Sequence, residues 1–374
     1  MNNSVKNFFS SLNLFNKKSD SAVGIDIGSS AIKVVEIKKR GGKAVLETYG
    51  AITLGSYAGI DAGRVTNLPV ERIVEAVNEV LKQSGVTTNS SALSVPVQSS
   101  LIFMVDLPAQ VKESEMSTII PTEARKYIPL PITEVSLDYF ILPKRELSFE
   151  EENNPDVPTV SSDKTEVLVV AIQNDAISKY RSIVSQCGLE AGFFEIEIFS
   201  SIRANFEHEI SPVLLMDFGA SRTKLSIVEF GMVKSHHTVN RGGADISDSI
   251  SKSLDVSFSK AEEMKKDFGL FENPAEKSLA DIIKTHIDYI FSETNDMLLK
   301  YEKRYDRTVS KVILSGGGSL LKGLKEMSSN NFKAEIETGH PFSKVGAPEF
   351  LNKVLSATGP EFAIALGLAL RKLQ

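Results

Sequence analysis

The sequence predicts an α/β protein of two similar lobes facing one another across a cleft. The first observation is an internal repeat: "GIDIGSSAIKVVEI" (24–37) is echoed by "SPVLLMDFGASRTKLSIVEFG" (211–231). Asp26, Gly28, Ser30 and Lys33 overlie Asp217, Gly219, Ser221 and Lys224 at the same offsets, with apolar strand residues on both sides. The second is placement, since each copy opens one half of the chain with strand, tight turn and strand. The third is length, because 374 residues exceed what one simple core accommodates.

Composition narrows the function. The 42 basic and 48 acidic residues leave a formal charge of −6 without long blocks of one sign, which argues against a sequence-independent nucleic-acid binder. The single cysteine, Cys187, excludes an intrachain disulfide framework or a multi-thiolate metal site and fits a reducing compartment. No apolar run approaches the ~20 residues that span a bilayer, and no signal-peptide core opens the chain, so the cytosol is the expected location. Residues 1–21 form an amphipathic segment, with Val5, Phe8, Phe9, Leu12 and Phe15 on one helical face. Packing on its own protein is favoured there over docking to a membrane or a partner.

The elements follow in order. Strands and turns alternate from Val23 to about Thr53, and "VERIVEAVNEVLKQSG" is a helix with Ile73, Val74, Val77 and Leu81 inward and Gly85 as its stop. "SALSVPVQSSLIFMVDLP" reads as a strand pair, "ESEMSTIIPTEARKYIP" as a helix interrupted near Pro121, and "EVSLDYFIL" as a strand, together a small α+β module. The polar, acidic stretch from Pro143 to Thr165 is a flexible loop. "EVLVVAI" restores a buried strand, and a helix N-capped by Asp175 ends at Gly188 with Cys187 packed in its last turn. After the second repeat come helices from Asp245 to Tyr305, then a strand, a glycine turn and a helix in "KVILSGGGSLLKGLKEM". The closing "GPEFAIALGLALRKL" is a helix whose small residues serve close packing or a hinge.

An Asp at the end of a buried strand beside a glycine turn sets a carboxylate next to backbone donors. The donors suit phosphate oxygens and the carboxylate suits Mg²⁺ through water. One such turn is ordinary hairpin chemistry, but two at matched positions can close on one phosphate chain from both sides. Gly316, Gly317 and Gly318 supply a backbone that a base or ribose can approach. The chain contains neither a P-loop nor a dinucleotide-binding glycine fingerprint. His236 and His237 are adjacent on a strand and point to opposite faces, and His208, His286 and His340 lack metal-ligand spacing.

Both turns, "SGGGSLLKGL" and "GPEFAIALGLAL" resemble, in order, the motifs of the actin, heat-shock chaperone and sugar kinase superfamily. The resemblance implies a two-lobed actin-like ATPase fold of duplicated ribonuclease-H-like domains, with ATP and Mg²⁺ between them. Within that superfamily, "EARKYIPLPITEVSLDY" and the acidic loop after it resemble the PilM family, FtsA-related proteins of type IV pilus assembly. FtsA proteins continue past the last helix into a membrane-binding tail, whereas this chain ends at Gln374 directly after it. The implied organisation is a first lobe over 22–212 with a module inserted at about 86–190, and a second lobe over 213–358 with a helical subdomain at about 241–308. The helix of 359–374 returns to the first lobe.

The resemblance assigns Gly28, Ser29, Ser30 and Lys33 to the phosphates from one side and Gly219, Ala220 and Ser221 from the other, with Asp26 and Asp217 in the water shell of the metal. Gly242 and Gly243 approach the phosphates, with Asp245 capping the helix that follows. Glu262 takes the ribose, Lys265 the base, and Gly316 to Gly318 the adenosine. Glu197 in "EIEIFSSIRA" is the candidate to orient a hydrolytic water, although Ile198 stands where relatives carry proline, so slow or no hydrolysis is expected. The implied function is a cytoplasmic ATP-binding platform that receives the N-terminal cytoplasmic tail of a PilN-like inner-membrane protein and so sits at the inner face of the inner membrane. Pilus motor components and weak self-association extend the list of partners. A sugar or small-acid kinase and an FtsA-like polymerising filament protein are the alternatives.

Overall fold

The computed structural model describes residues 20–142, 164–207, 209, 211–271 and 277–374. The amphipathic face expected over 5–15 and most of the acidic loop lie outside them. The described residues divide into two compact units, one within Gln98–Ala176 and the other comprising residues 20–97 and Ile177–Gln374.

The larger unit is built from two sheets of the same design. In the first, β1 (Ser21–Ile27), β2 (Ala31–Arg40) and β3 (Lys43–Thr53) form an antiparallel meander, and β4 (Ser90–Val95) and β8 (Glu190–Ile196) extend it in parallel to the order β3-β2-β1-β4-β8. In the second, β9 (Val213–Phe218), β10 (Thr223–Glu229), β11 (Met232–Val239), β12 (Lys311–Ser315) and β13 (Glu335–Thr338) give the order β11-β10-β9-β12-β13 with the same directions. The sequence repeat is thus a repeat of topology. It is also one of register, with Asp26 opposite Lys33 and Asp217 opposite Lys224. The central strands β1 and β9 are buried almost throughout, as their mainly apolar residues require, with Asp26 and Asp217 the charged residue of each.

Helices complete each lobe. In the first lobe, α1 (Gly55–Ala58) and α2 (Val70–Gln83) follow β3. Helix α2 buries Ile73, Ala76, Val77 and Val80, so its inner face is rotated from the expected one and Val74 and Leu81 are only half-buried. Gly85, with φ +67°, makes the left-handed exit expected of a stop.

The smaller unit is an antiparallel sheet, β5-β7-β6, with α3 (Glu113–Ala124) packed on one face. Its strands are β5 (Ser100–Pro108), β6 (Val135–Ile141) and β7 (Lys164–Gln173). It is narrower than the expected 86–190 because β4 and β8 are strands of the lobe. For the same reason β4 and β5 are not a pair, and they lie in different sheets. Helix α3 runs through Pro121 without interruption. The carbonyl that the proline leaves unpaired belongs to Ser117, an exposed residue where solvent can take the place of the lost bond. Helix α4 (Asn174–Gln186) begins one residue before Asp175, which lies in its first turn rather than at the cap. Cys187 follows that helix, and burial pushes its thiol up to about 11, the state of a packed and unreactive side chain.

Helices α5 (Glu197–Asn205), α6 (Gly243–Leu254), α7 (Phe258–Phe268), α8 (Lys277–Tyr305), α9 (Leu324–Asn331), α10 (Asn352–Thr358) and α11 (Ala363–Leu373) complete the larger unit. Helices α6 to α8 pack on the second sheet around Ile246, Ile250, Ile283, Ile287 and Phe291. Residues 349–373 have the length and apolar character of a bilayer span, yet 61% of the most apolar window is buried inside the protein. Close packing is the use of the small residues in α11. A Cβ at Gly24 would lie 1.8 Å from the Ala365 carbonyl oxygen, and one at Gly367 would lie 1.9 Å from that of Ser200. Beside this contact the wholly buried Glu195 accepts from Arg203 at 2.7 and 2.8 Å, from Arg371 at 2.6 Å and from the Ser200 hydroxyl. Burial alone would raise its pKa, but the two guanidiniums outweigh that and hold it at about 2.

Candidate functional site

The two hairpin turns meet. Gly28 N–H donates to the Ala31 carbonyl at 3.0 Å and Gly219 N–H to that of Arg222 at 2.9 Å, so both turns close in the same way. A Cβ at either glycine would stand 2.9 or 2.8 Å from that carbonyl oxygen, which explains the residue type. The N–H groups of Ser29, Ser30, Ala220 and Ser221 remain in the turns, and none donates to another backbone carbonyl among the described residues. The Ser29 hydroxyl donates to the Ser221 hydroxyl at 3.2 Å. The phosphate turns expected from the sequence thus touch tip to tip.

Carboxylates line the floor between them. Asp26, 5% exposed at the end of β1, accepts from Ser94 Oγ at 2.9 Å. Burial raises its pKa, and Lys33 opposes the rise. Asp217 occupies the equivalent place on β9, where Lys224 Nζ donates to its Oδ2 at 3.0 Å. The same Nζ donates to Glu197 Oε2 at 2.7 Å, while Glu197 Oε1 accepts from Val97 N–H at 3.0 Å. Both oxygens of the candidate water-orienting residue are therefore engaged.

The second lobe's helices supply the next layer. Gly243 N–H donates to the Gly219 carbonyl at 3.0 Å, and Ala244 N–H to that of Ala220 at 2.9 Å. A Cβ at Gly242 would stand 2.4 Å from the Ala220 carbonyl oxygen, so this glycine permits the contact. Asp245 reaches back to accept from Gly242 N–H at 2.8 Å, capping α6. Glu262 and Lys265 lie 2.6 Å apart, with Lys265 Nζ also donating to the Gly243 carbonyl at 2.8 Å and to Ser247 Oγ at 2.9 Å. Burial brings Lys265 below the usual lysine range; burial also pushes Glu262 up, but Lys265 outweighs it and leaves Glu262 lowered.

Gly316, with φ +77°, and Gly318 pass so close to Phe218 that a Cβ would lie 2.6 Å from its carbonyl oxygen and 2.7 Å from its own Cβ, respectively. Gly317 has nothing nearer than 3.8 Å and is the open member of the triplet. Between the segment after α1 and helices α6 and α7, Asp61 accepts from Ser259 Oγ at 2.8 Å, and Arg64 lies 3.6 Å from Asp248 and 4.1 Å over the Phe258 ring.

Sequence reasoning passed over four contributors. Ser94 orients Asp26, Thr66 donates to the Ser29 carbonyl through N–H at 2.8 Å and Oγ1 at 3.0 Å, Val97 supplies its N–H, and Lys224 joins the lobes. Only Lys224 left a signal, its offset from Asp217 matching that of Lys33 from Asp26. Ser94 and Val97 reach the site through the parallel pairing of β4 beside β1, and no local pattern encodes that proximity.

The sequence profile described as type IV pilus assembly protein PilM matches residues 24–373. The cell division protein FtsA of Staphylococcus epidermidis is 24% identical over 369 residues, covering 89% of this chain and 77% of that protein. A solved PilM-PilN type IV pilus biogenesis complex superposes with a TM-score of 0.77 at 23% identity, covering 96% of this chain and all of the other. MreB5 of Spiroplasma citri bound to ADP superposes with a TM-score of 0.50 at 10% identity over 94% of this chain and 95% of that one.

Proposed function

Since the chain belongs to the PilM family of type IV pilus assembly proteins, we propose that it is an ATP-binding platform on which a PilN-like inner-membrane protein docks its N-terminal cytoplasmic tail. The observation that carries the nucleotide reading is the meeting of Ser29 and Ser221, which brings two sets of turn N–H groups to one place. The MreB5 structure with ADP shows that a protein of this fold accepts such a ligand. Gly28, Ser29, Ser30 and Lys33 would hold the phosphates from one lobe and Gly219, Ala220 and Ser221 from the other, with Gly242 and Gly243 behind them. Glu262, Lys265 and the Gly316 to Gly318 turn would receive the adenosine.

The donor set suits a magnesium ion kept in its water shell rather than one ligated directly. Among the described residues no three His, Cys, Asp or Glu side chains stand close enough to hold an ion, and Lys224 already occupies one oxygen each of Asp217 and Glu197. Asp26 and Asp217 would fix the water shell, and a bound ion there would supply countercharge to the phosphates. Slow or no hydrolysis follows from Glu197, whose two oxygens are committed to Lys224 and Val97.

The small unit offers the docking surface. Leu101, Tyr127 and Leu130 are exposed, Phe103 stacks on Tyr127 at 4.8 Å, and β5 and β6 are edge strands able to accept an extended peptide. Through that tail the protein would be held at the inner face of the inner membrane.

The test is a pull-down of the full chain with N-terminal peptides of PilN-like proteins, with and without ATP. Retention that strengthens with ATP is the expected result, and no retention in either condition would overturn the platform reading. The FtsA likeness favours a filament as the second reading; ATP-dependent sedimentation would support it.

A further inference from the structure

The first phosphate turn carries a loop that reaches the second lobe. Leu54 N–H donates to the Ser30 carbonyl at 2.8 Å, and Thr66 donates to the Ser29 carbonyl through N–H at 2.8 Å and Oγ1 at 3.0 Å. Both ends of the segment 54–66 are therefore tied to neighbouring residues at the tip of the turn, the build of an Ω-loop. The loop also folds back on itself, with Ile60 N–H on the Gly55 carbonyl at 3.0 Å and Arg64 N–H on that of Asp61 at 3.3 Å.

Its far side rests on α6 and α7. Asp61 meets Ser259 Oγ at 2.8 Å, while Arg64 reaches Asp248 and the ring of Phe258. Gly63, with φ +90°, comes close enough that a Cβ would stand 3.5 Å from Glu262 Cδ and 3.6 Å from Phe258 Cε1. The loop backbone thus abuts the carboxyl group assigned above to the ribose. Contacts run on from Glu262 through Lys265 to the Gly243 carbonyl, from Gly243 N–H to the Gly219 carbonyl, and from Ser221 back to Ser29. They form a ring that contains both turns and the ribose residue, and the loop is the segment that closes it.

The contacts of Asp61 and Arg64 are of a reversible kind. The Arg64 and Asp248 side chains are each 36% exposed, and an exposed ion pair, one cation–π contact and one hydrogen bond each contribute little alone. Such contacts break and re-form, as the passage of a ligand requires.

We propose that residues 54–66 are a gate on the nucleotide site, held shut by Asp61 and Arg64 against α6 and α7, so that ATP enters and leaves only while these contacts are parted. The inference rests on the nucleotide reading above and extends it to exchange. The contacts join protein to protein and leave the partners of the ligand intact, so loosening them speeds entry and exit alike and leaves affinity almost unchanged. A contact to the ligand would behave differently, because its loss speeds exit alone and weakens binding by the same factor. A simple brace between the lobes would change stability and neither rate.

The experiment follows the fluorescent nucleotide 2-aminopurine riboside triphosphate with Mg²⁺ by stopped flow, mixing it with the full chain for entry and displacing it with excess ATP for exit. Wild type is compared with Asp61→Ala plus Arg64→Ala and, from the other side of the contact, with Asp248→Ala plus Ser259→Ala. Each pair should raise both rates at least about fivefold while the dissociation constant stays within about threefold of wild type. Unchanged rates in both pairs, or a faster exit matched by an equal loss of affinity, would overturn the gate while leaving nucleotide binding in place. Absence of binding by wild type, of the probe in stopped flow and of ATP by calorimetry, would overturn the nucleotide reading and this inference together.

Discussion

Substituting Gly367 by alanine tests whether α11 is locked in place by its small residues. The added Cβ would stand 1.9 Å from the Ser200 carbonyl oxygen, whereas ordinary contact begins at 3.4 Å, so α11 and α5 must separate by about 1.5 Å. Nothing at the contact can swing aside, because the obstructing atom is backbone at the centre of α5. Separation loosens Ala365, Leu366 and Leu368, all without exposure in the native packing, and stretches the bond from Arg203 Nη1 to the Gly367 carbonyl, now 3.1 Å. Overpacking of this kind costs about 1–3 kcal/mol, and partial loss of buried leucine contacts adds to it, so a destabilisation of about 3–5 kcal/mol is expected. The chain has no tryptophan, so urea unfolding is followed by far-ultraviolet circular dichroism. Gly192→Ala is the internal control: its Cβ would meet only the far end of the Lys372 side chain, at 2.6 Å, which can move for less than about 1 kcal/mol. A Gly367→Ala protein within about 1 kcal/mol of wild type would refute the locking argument.

Acid should expose the Glu195 cluster. Its folded-state pKa of about 2 lies below the ordinary glutamate value of 4.5, so its stabilisation is complete above pH 4.5 and is lost as the pH falls towards 2, amounting to about 3 kcal/mol by linkage. Glu195→Gln should flatten the acid limb of the stability profile and lower stability at pH 7, where Arg203 and Arg371 lose their partner; an unchanged acid limb would contradict the assignment. For the adenosine side, Glu262→Ala should weaken ATP roughly tenfold and leave inorganic triphosphate binding unaltered. Equal losses for the two ligands would place Glu262 outside the ribose contact.

The fold was legible because the repeat encodes it twice. Matching offsets from Asp26 and Asp217 fix matching hairpins, and the Val, Ile and Leu runs around them require burial on both faces, which a central strand provides. Pro121 misled because the carbonyl it frees belongs to exposed Ser117, where solvent can substitute for the lost hydrogen bond and the helix can continue. The strands β4 and β5 misled because two apolar runs separated by a short break read alike whether they pair with one another or diverge into different sheets.

Lys224 shows where pattern stops and environment begins. Its offset from Asp217 is the same as that of Lys33 from Asp26, so the repeat alone gives the two lysines the same work. What separates them is Glu197, which arrives from the start of α5 and adds a second carboxylate to one copy of the motif. A duplicated motif therefore acquires unequal duties through what the rest of the chain packs against it. The asymmetry places the buried cation in the copy whose Asp already faces a second acid, the arrangement in which a lysine can remain charged without water.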